Sequence, residues 1–142
     1  MFQGTSLIAL DCKGRLNLPA RYRQAMDLSC QGQVTLTRHP DGCLLIYPDP
    51  IWLSLKAKLK GLPYSARWFQ RMVLGCAQSV SMDASGRILI PSDLRQLVGL
   101  ERDAMLIGLG EHFELWDKAT YVQQQAQALS EQAPEVVQDF LF

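Results

Sequence analysis

One pattern occurs twice in this chain, and that repetition limits what the chain can fold into. The first copy is Asp11-Cys-Lys-Gly14-Arg15-Leu-Asn-Leu-Pro19-Ala-Arg21-Tyr-Arg23. The second follows 72 residues later as Asp83-Ala-Ser-Gly86-Arg87-Ile-Leu-Ile-Pro91-Ser-Asp93-Leu-Arg95. Asp, Gly, Arg, Pro and the closing Arg recur in register, and Leu16/Ile88 and Leu18/Ile90 match in character. A repeat at fixed spacing means one supersecondary unit built twice.

Each copy has a physical reading. Asp, two short or polar residues and then Gly is turn chemistry: the carboxylate bonds nearby backbone N–H groups, and Gly takes positive φ without penalty. The alternation Arg–apolar–x–apolar that follows predicts a short strand with Leu16 and Leu18, or Ile88 and Ile90, on one face. Pro19 and Pro91 end the strand and suit the first turn of a helix. The unit is turn, short strand, short helix. Arg15 and Arg87 fall where turn becomes strand, at the rim of the packed layer.

The echo extends outward. Residues 3–10 parallel 75–82 as strands, and Val34–Thr37 parallels Leu106–Leu109. Leu44–Tyr47 parallels Phe113–Trp116 after a three-residue length difference. Each half closes on a helical pattern, about 50–60 and 118–132. The predicted organisation is a first repeat over 1–60, a connector helix over 61–74, a second repeat over 75–132 and a tail over 133–142. Asp49 is expected to cap the helix that begins at Pro50. In the connector, Trp68, Phe69, Met72 and Val73 fall at helical spacing, which predicts core or a subunit interface. Half of this length would be marginal alone, so the two halves are expected to complete one another's sheet.

Net charge is zero, but it is unevenly spread. Residues 1–73 hold ten Lys/Arg against four Asp/Glu, and residues 74–142 hold four against ten. Such asymmetry suits a polyanion-binding face or association of basic with acidic surfaces. Lys13, Arg21 and Arg23 cluster around the first motif as candidate phosphate contacts. Cys12, Cys30, Cys43 and Cys76 have no C-x-x-C spacing and no His at ligand distance, so they are expected to be buried or inert thiols, without zinc or disulfides. The chain opens directly on a strand, and no run reaches the ~18 apolar residues of a membrane helix; a cytoplasmic protein with no membrane partner is expected. No G-x-S-x-G, H-E-x-x-H or Cys-His constellation is present. His39 and His112 read as loop residues, and Asp11 and Asp83 as turn-closing supports for their arginines. No catalytic residue, metal, cofactor or small-molecule substrate is expected, and the chain is not expected to be an enzyme.

Asp11-x-x-Gly14-Arg15 and Asp83-x-x-Gly86-Arg87, each leading into apolar-x-apolar-Pro, resemble the signature of AbrB-like, swapped-hairpin DNA-binding proteins. Two copies in a chain of this length, opened by Met-Phe-Gln-Gly4, resemble the MraZ family over essentially the whole chain. The resemblance implies a β-rich α+β fold in which two tandem half-units interlock as a pseudo-two-fold β-barrel core with short flanking helices. It implies a nucleoid-associated transcriptional repressor that assembles into rings on double-stranded promoter DNA. Such a protein binds short direct repeats upstream of the division and cell-wall genes, its own included. Arg15 and Arg87 would carry the binding. The flanking residues differ: Lys13 stands opposite Ser85 and Arg21 opposite Asp93, which favours the first copy as the stronger contact. The alternative is an AbrB-fold protein-interaction module, antitoxin-like, without promoter-specific binding. The apolar tail Phe140–Phe142 is expected to pack on the body or on a neighbour.

Overall fold

A computed structural model describes residues 1–140. Eight strands form: β1 (Phe2–Ala9), β2 (Arg15–Asn17), β3 (Gln33–Arg38), β4 (Leu44–Pro48), β5 (Gln78–Ser81), β6 (Arg87–Leu89), β7 (Asp103–Gly110) and β8 (Phe113–Asp117). The helices are α1 (Ala20–Cys30), α2 (Asp49–Lys60), α3 (Arg67–Val73), α4 (Ser92–Leu97), α5 (Lys118–Ser130) and a short α6 (Glu135–Gln138). A tight helical turn at Tyr64–Ala66 precedes α3.

Six strands make one antiparallel sheet in the order β1-β7-β8-β4-β3-β5, and β2 pairs only with β6. The first strand of each repeat therefore lies against the hairpin of the other. β1 runs beside β7 from Phe2↔Gly110 to Ala9↔Asp103, and β5 beside β3 from Gln78↔Leu36 to Ser81↔Gln33. Neither half can bury its own hairpin without the other, as expected of units too small to fold alone.

Residue parity sorts the two faces of this sheet, because successive side chains point to opposite sides. Val34, Leu36, Leu44, Ile46, Leu106, Phe113 and Leu115 face the main core, which Leu16 and Ile88 of the β2–β6 ribbon, with Leu18 and Ile90 just after its strands, close from above. The opposite face is covered in two patches. Trp52, Leu59 and Val73 pack beneath β4 through Tyr47, and Cys43, Ile107 and Trp116 pack against Tyr121. Burial pushes the Cys43 thiol pKa up, so it remains a protonated core side chain.

Several expectations change. The sheet is open rather than a closed barrel: β1 and β5 are its two edges, and the ribbon packs over one face instead of bonding to close it. Pro19 and Pro91 follow the ribbon strands, which run only three residues each, too short to bridge those edges. The repeat alignment slips by two residues after the first helix. Ile8 pairs with Ala104 and its counterpart Val80 pairs with Val34, so Val34 corresponds to Ala104, not Leu106. The slip follows from helix length: α1 spans 11 residues, whereas α4 spans six before Gly99 turns the chain at φ +69°. Asp49 is the first residue of α2 rather than its cap, and its carboxylate accepts from Thr35 Oγ1 at 3.4 Å. Of the connector stripe, Val73 is buried but Trp68 is 59% exposed. Cys12 is exposed at the first turn. No helix among the described residues is long and apolar enough to cross a membrane. Phe140 is exposed, and the rest of the expected tail, Leu141 and Phe142, lies outside the described residues.

Candidate nucleic-acid interface

The two motifs fold into the same small machine. Asp11 Oδ1 accepts the backbone N–H groups of Lys13 and Arg15, each at 2.9 Å, while Oδ2 accepts Arg15 Nε at 2.6 Å. Asp83 does the same with Ser85 and Arg87: two backbone bonds at 2.9 Å and one from Arg87 Nε at 2.8 Å. Two further backbone bonds close each turn, Gly14 N–H to Asp11 C=O and Asp11 N–H to Arg15 C=O in the first copy. One carboxylate thus shapes the turn and fixes the root of the guanidinium. The Arg15 and Arg87 side chains are 29% and 36% exposed. Each spends Nε on its aspartate, and among the described residues no hydrogen bond is made by its terminal Nη groups.

The ribbon sets their relative position. Leu16 pairs with Ile88 at its centre, Arg15 with Leu89 and Asn17 with Arg87. Leu16 and Ile88 point into the core at 0% exposure, so the flanking four side chains stand on the outward face. Arg15 and Arg87 occupy one diagonal of that face, a cross-strand separation of about 7–8 Å.

A second pair of arginines braces the turns across the pseudo-two-fold. Arg23 donates from Nε to Leu18 C=O at 2.8 Å and from Nη2 to Asn17 Oδ1 at 2.8 Å. Arg95 donates from Nε to Ile90 C=O at 3.0 Å. Leu18 N–H in turn donates to Gly86 C=O at 2.9 Å, and Ile90 N–H to Gly14 C=O at 3.0 Å. Each closing arginine therefore lies against the other repeat's turn. A Cβ on Gly14 would sit 2.5 Å from the Arg95 guanidinium, and one on Gly86 would sit 2.5 Å from Arg23 Nε. Both glycines also hold positive φ, +83° and +79°. Arg95 was absent from the residues expected at the site, although its signal was present: it repeats Arg23 in register.

The remaining expected contacts are placed unequally. Lys13 is exposed on the first turn. Arg21 is directed at β1, donating from Nη2 to Ser6 Oγ at 2.7 Å and lying over the Tyr22 ring. At the matching place in the second repeat, Gln78 Nε2 donates to Asp93 Oδ2 at 2.8 Å, so the same position carries the opposite charge. Arg23 has its guanidinium engaged in the brace and is only partly exposed. His112, expected in a loop, is half-buried and stacks on Tyr47 at 4.8 Å.

The backbone N–H of Arg15 is the largest cause holding the Asp11 carboxyl down from an ordinary 3.8 to about 2, with the Arg15 guanidinium and Lys13 N–H adding to it. Asp83 is shifted in the same direction for the same reason, led by the Arg87 N–H. A carboxyl depressed by folding stabilises the fold above its unfolded value, and that contribution disappears as pH falls through the folded one. The Asp11 brace is therefore expected to contribute fully above its ordinary value of 3.8 and to be lost as pH falls through about 2, and Asp83 to follow in the same direction. Side-chain carboxyl ¹³C shifts check this; an Asp11 midpoint near the ordinary value would contradict the brace.

The fold is a two-repeat α+β scaffold with paired guanidiniums on acid-shaped turns, carried on the outward face of a ribbon whose other face is core. The family model described as "MraZ protein, putative antitoxin-like" matches the chain twice, over residues 1–76 and 72–140. A protein of Delftia acidovorans named Transcriptional regulator MraZ is 51% identical over 142 residues, all of both chains. Those of the same name from Acidovorax sp. (strain JS42) and Burkholderia vietnamiensis are 49% and 47% identical, again over all of both chains. The chain belongs to the MraZ family.

Proposed function

We propose that this chain is a sequence-specific DNA-binding transcriptional regulator, acting as a repressor. One observation carries the reading: Arg15 and Arg87 share the outward face of one ribbon, each rooted by an aspartate and each with its fork unspent. A two-stranded ribbon fits the major groove of B-DNA, and an arginine fork suits guanine O6/N7. Lys13 adds a phosphate contact that positions without specifying sequence. Arg21 adds another if it leaves Ser6. Arg23 contributes mainly by shaping the turn, through its bonds to Leu18 C=O and Asn17 Oδ1. The two repeats, 1–60 and 75–132, supply one such face per protomer, and the connector at 61–74 spans between them.

One face buries too little to bind tightly. Several protomers in a ring, set on successive direct repeats, would gain through effective concentration. The exposed Trp68 of the connector is a candidate contact between neighbours. The targets proposed are the division and cell-wall gene cluster and the chain's own promoter, repressed by occlusion. The relatives' shared name, transcriptional regulator, supports this reading. The family description's "antitoxin-like" favours the second reading, a module whose main partner is protein.

Gel shifts with the DNA upstream of the chain's own gene separate the two. Arg15→Ala and Arg87→Ala are each expected to weaken specific binding by about tenfold to a hundredfold, with melting lowered only slightly by the loss of one partly exposed ion pair. Both variants shifting the fragment as well as wild type at moderate salt would refute the site.

A further inference from the structure

The ribbon's pseudo-two-fold is broken on its outward face, and the break has a chemical sense. The diagonal not occupied by Arg15 and Arg87 holds Asn17 and Leu89. The two positions are equivalent in the repeat, yet one is an amide and the other an aliphatic side chain left 50% exposed. From the assignment of DNA binding to this face, and resting on it, we infer that Asn17 and Leu89 are specificity-determining residues. They make each protomer read a non-palindromic site in one orientation.

Asn17 is not a free amide. Arg23 Nη2 donates to its Oδ1 at 2.8 Å. A guanidinium only donates, so the oxygen must be the atom turned toward Arg23 and the –NH₂ is left for an outside acceptor. Asn17 thus presents a pre-oriented donor beside Arg87. It suits guanine O6 or N7, adenine N7 or thymine O4, and it opposes the cytosine amine. The counterpart arginine, Arg95, bonds the Ile90 carbonyl but has no side-chain acceptor to hold, because Leu89 offers none. Leu89 presents methyl groups beside Arg15, which suit the thymine C5-methyl and leave a polar edge unmatched. The flanking charges differ in the same sense: Lys13 has Ser85 as its repeat counterpart, and Arg21 has Asp93. A duplex meeting this face therefore finds a different partner in each half, and rotating it by 180° exchanges a donor for an apolar contact.

The test is selection from a pool of duplexes carrying a randomised window, at one moderate salt concentration. Wild type, Asn17→Leu, Leu89→Asn and the double exchange are compared. Both side chains are outside the core, so all four are expected to stay folded, with Asn17→Leu and the double exchange melting slightly below wild type because each loses the bond from Arg23. Wild type is expected to enrich a non-palindromic motif. Asn17→Leu is expected to lose about tenfold discrimination at one position only, roughly the worth of a single good base contact. The double exchange is expected to enrich the motif with those two positions interchanged. A palindromic wild-type motif, or single-variant motifs superimposable on wild type, would overturn the inference while leaving DNA binding intact. No enrichment by wild type would remove the functional reading and this inference together.

Discussion

Phe113→Ala is expected to lower the unfolding free energy by about 3–5 kcal/mol, the usual cost of deleting a fully buried aromatic ring. Phe113 is 0% exposed on β8 and belongs to a three-ring cluster. It stacks on Phe2 with centroids 4.3 Å apart and receives the edge of Tyr22 at 4.9 Å. Tyr22 O–H also donates to Gln3 C=O on β1. Phe2 and Tyr22 come from the first repeat and Phe113 from the second, so the cluster joins the halves at the point where β1 enters the other repeat's hairpin. Urea unfolding at fixed protomer concentration measures the loss, because association would shift the midpoint. A single transition, displaced as a whole, is expected. Two separated transitions, with only the 75–132 signal moved, would show that the halves fold independently and that the interlock is not what stabilises them.

Gly14→Ala is expected to cost about 2–3 kcal/mol, far above a normal surface substitution. Two causes add. The residue holds φ +83°, where an L side chain pays about 1–2 kcal/mol. The new Cβ would also lie 2.5 Å from the Arg95 guanidinium. Arg95 must then swing aside and forfeit its bond to the Ile90 carbonyl, about 1 kcal/mol. The two causes separate in a double-mutant cycle. With Arg95→Ala already present, Gly14→Ala should cost only the backbone part, leaving a coupling of about 1 kcal/mol between residues 81 positions apart. Strict additivity would show that Arg95 does not press on the first turn. Gly86→Ala with Arg23→Ala repeats the test on the other copy and should couple more strongly, since Arg23 also loses Asn17.

These expectations trace what could and could not be read from the chain. The motif turns were legible because their chemistry is local. An aspartate, a glycine and an arginine within five residues are enough to specify the hydrogen bonds that form. The exchange of first strands was legible in outline, since neither half has enough apolar surface to stand alone. The expected barrel was wrong because closure is a question of which distant edges meet, and the short ribbon covers a face instead. Helical spacing marks the stripe of Trp68, Phe69, Met72 and Val73 without saying how much of it the body reaches, and only the fold shows Val73 buried and Trp68 exposed. Arg23 shows the same limit: its charge is visible in sequence and the Leu18 carbonyl it bonds is five residues away, but the Gly86 turn it lies against belongs to the other repeat and is set by the tertiary fold.

The sequence by itself determined that two like units exist, where each turns, and which arginine each turn holds, because bonds between residues a few positions apart need no knowledge of the rest. Only the tertiary structure decided that Arg15, Asn17, Arg87 and Leu89 share one face and that Arg23 and Arg95 guard each other's turns. Those facts depend on β2 pairing with β6 across 72 residues, and a register between distant strands is set by the core beneath them.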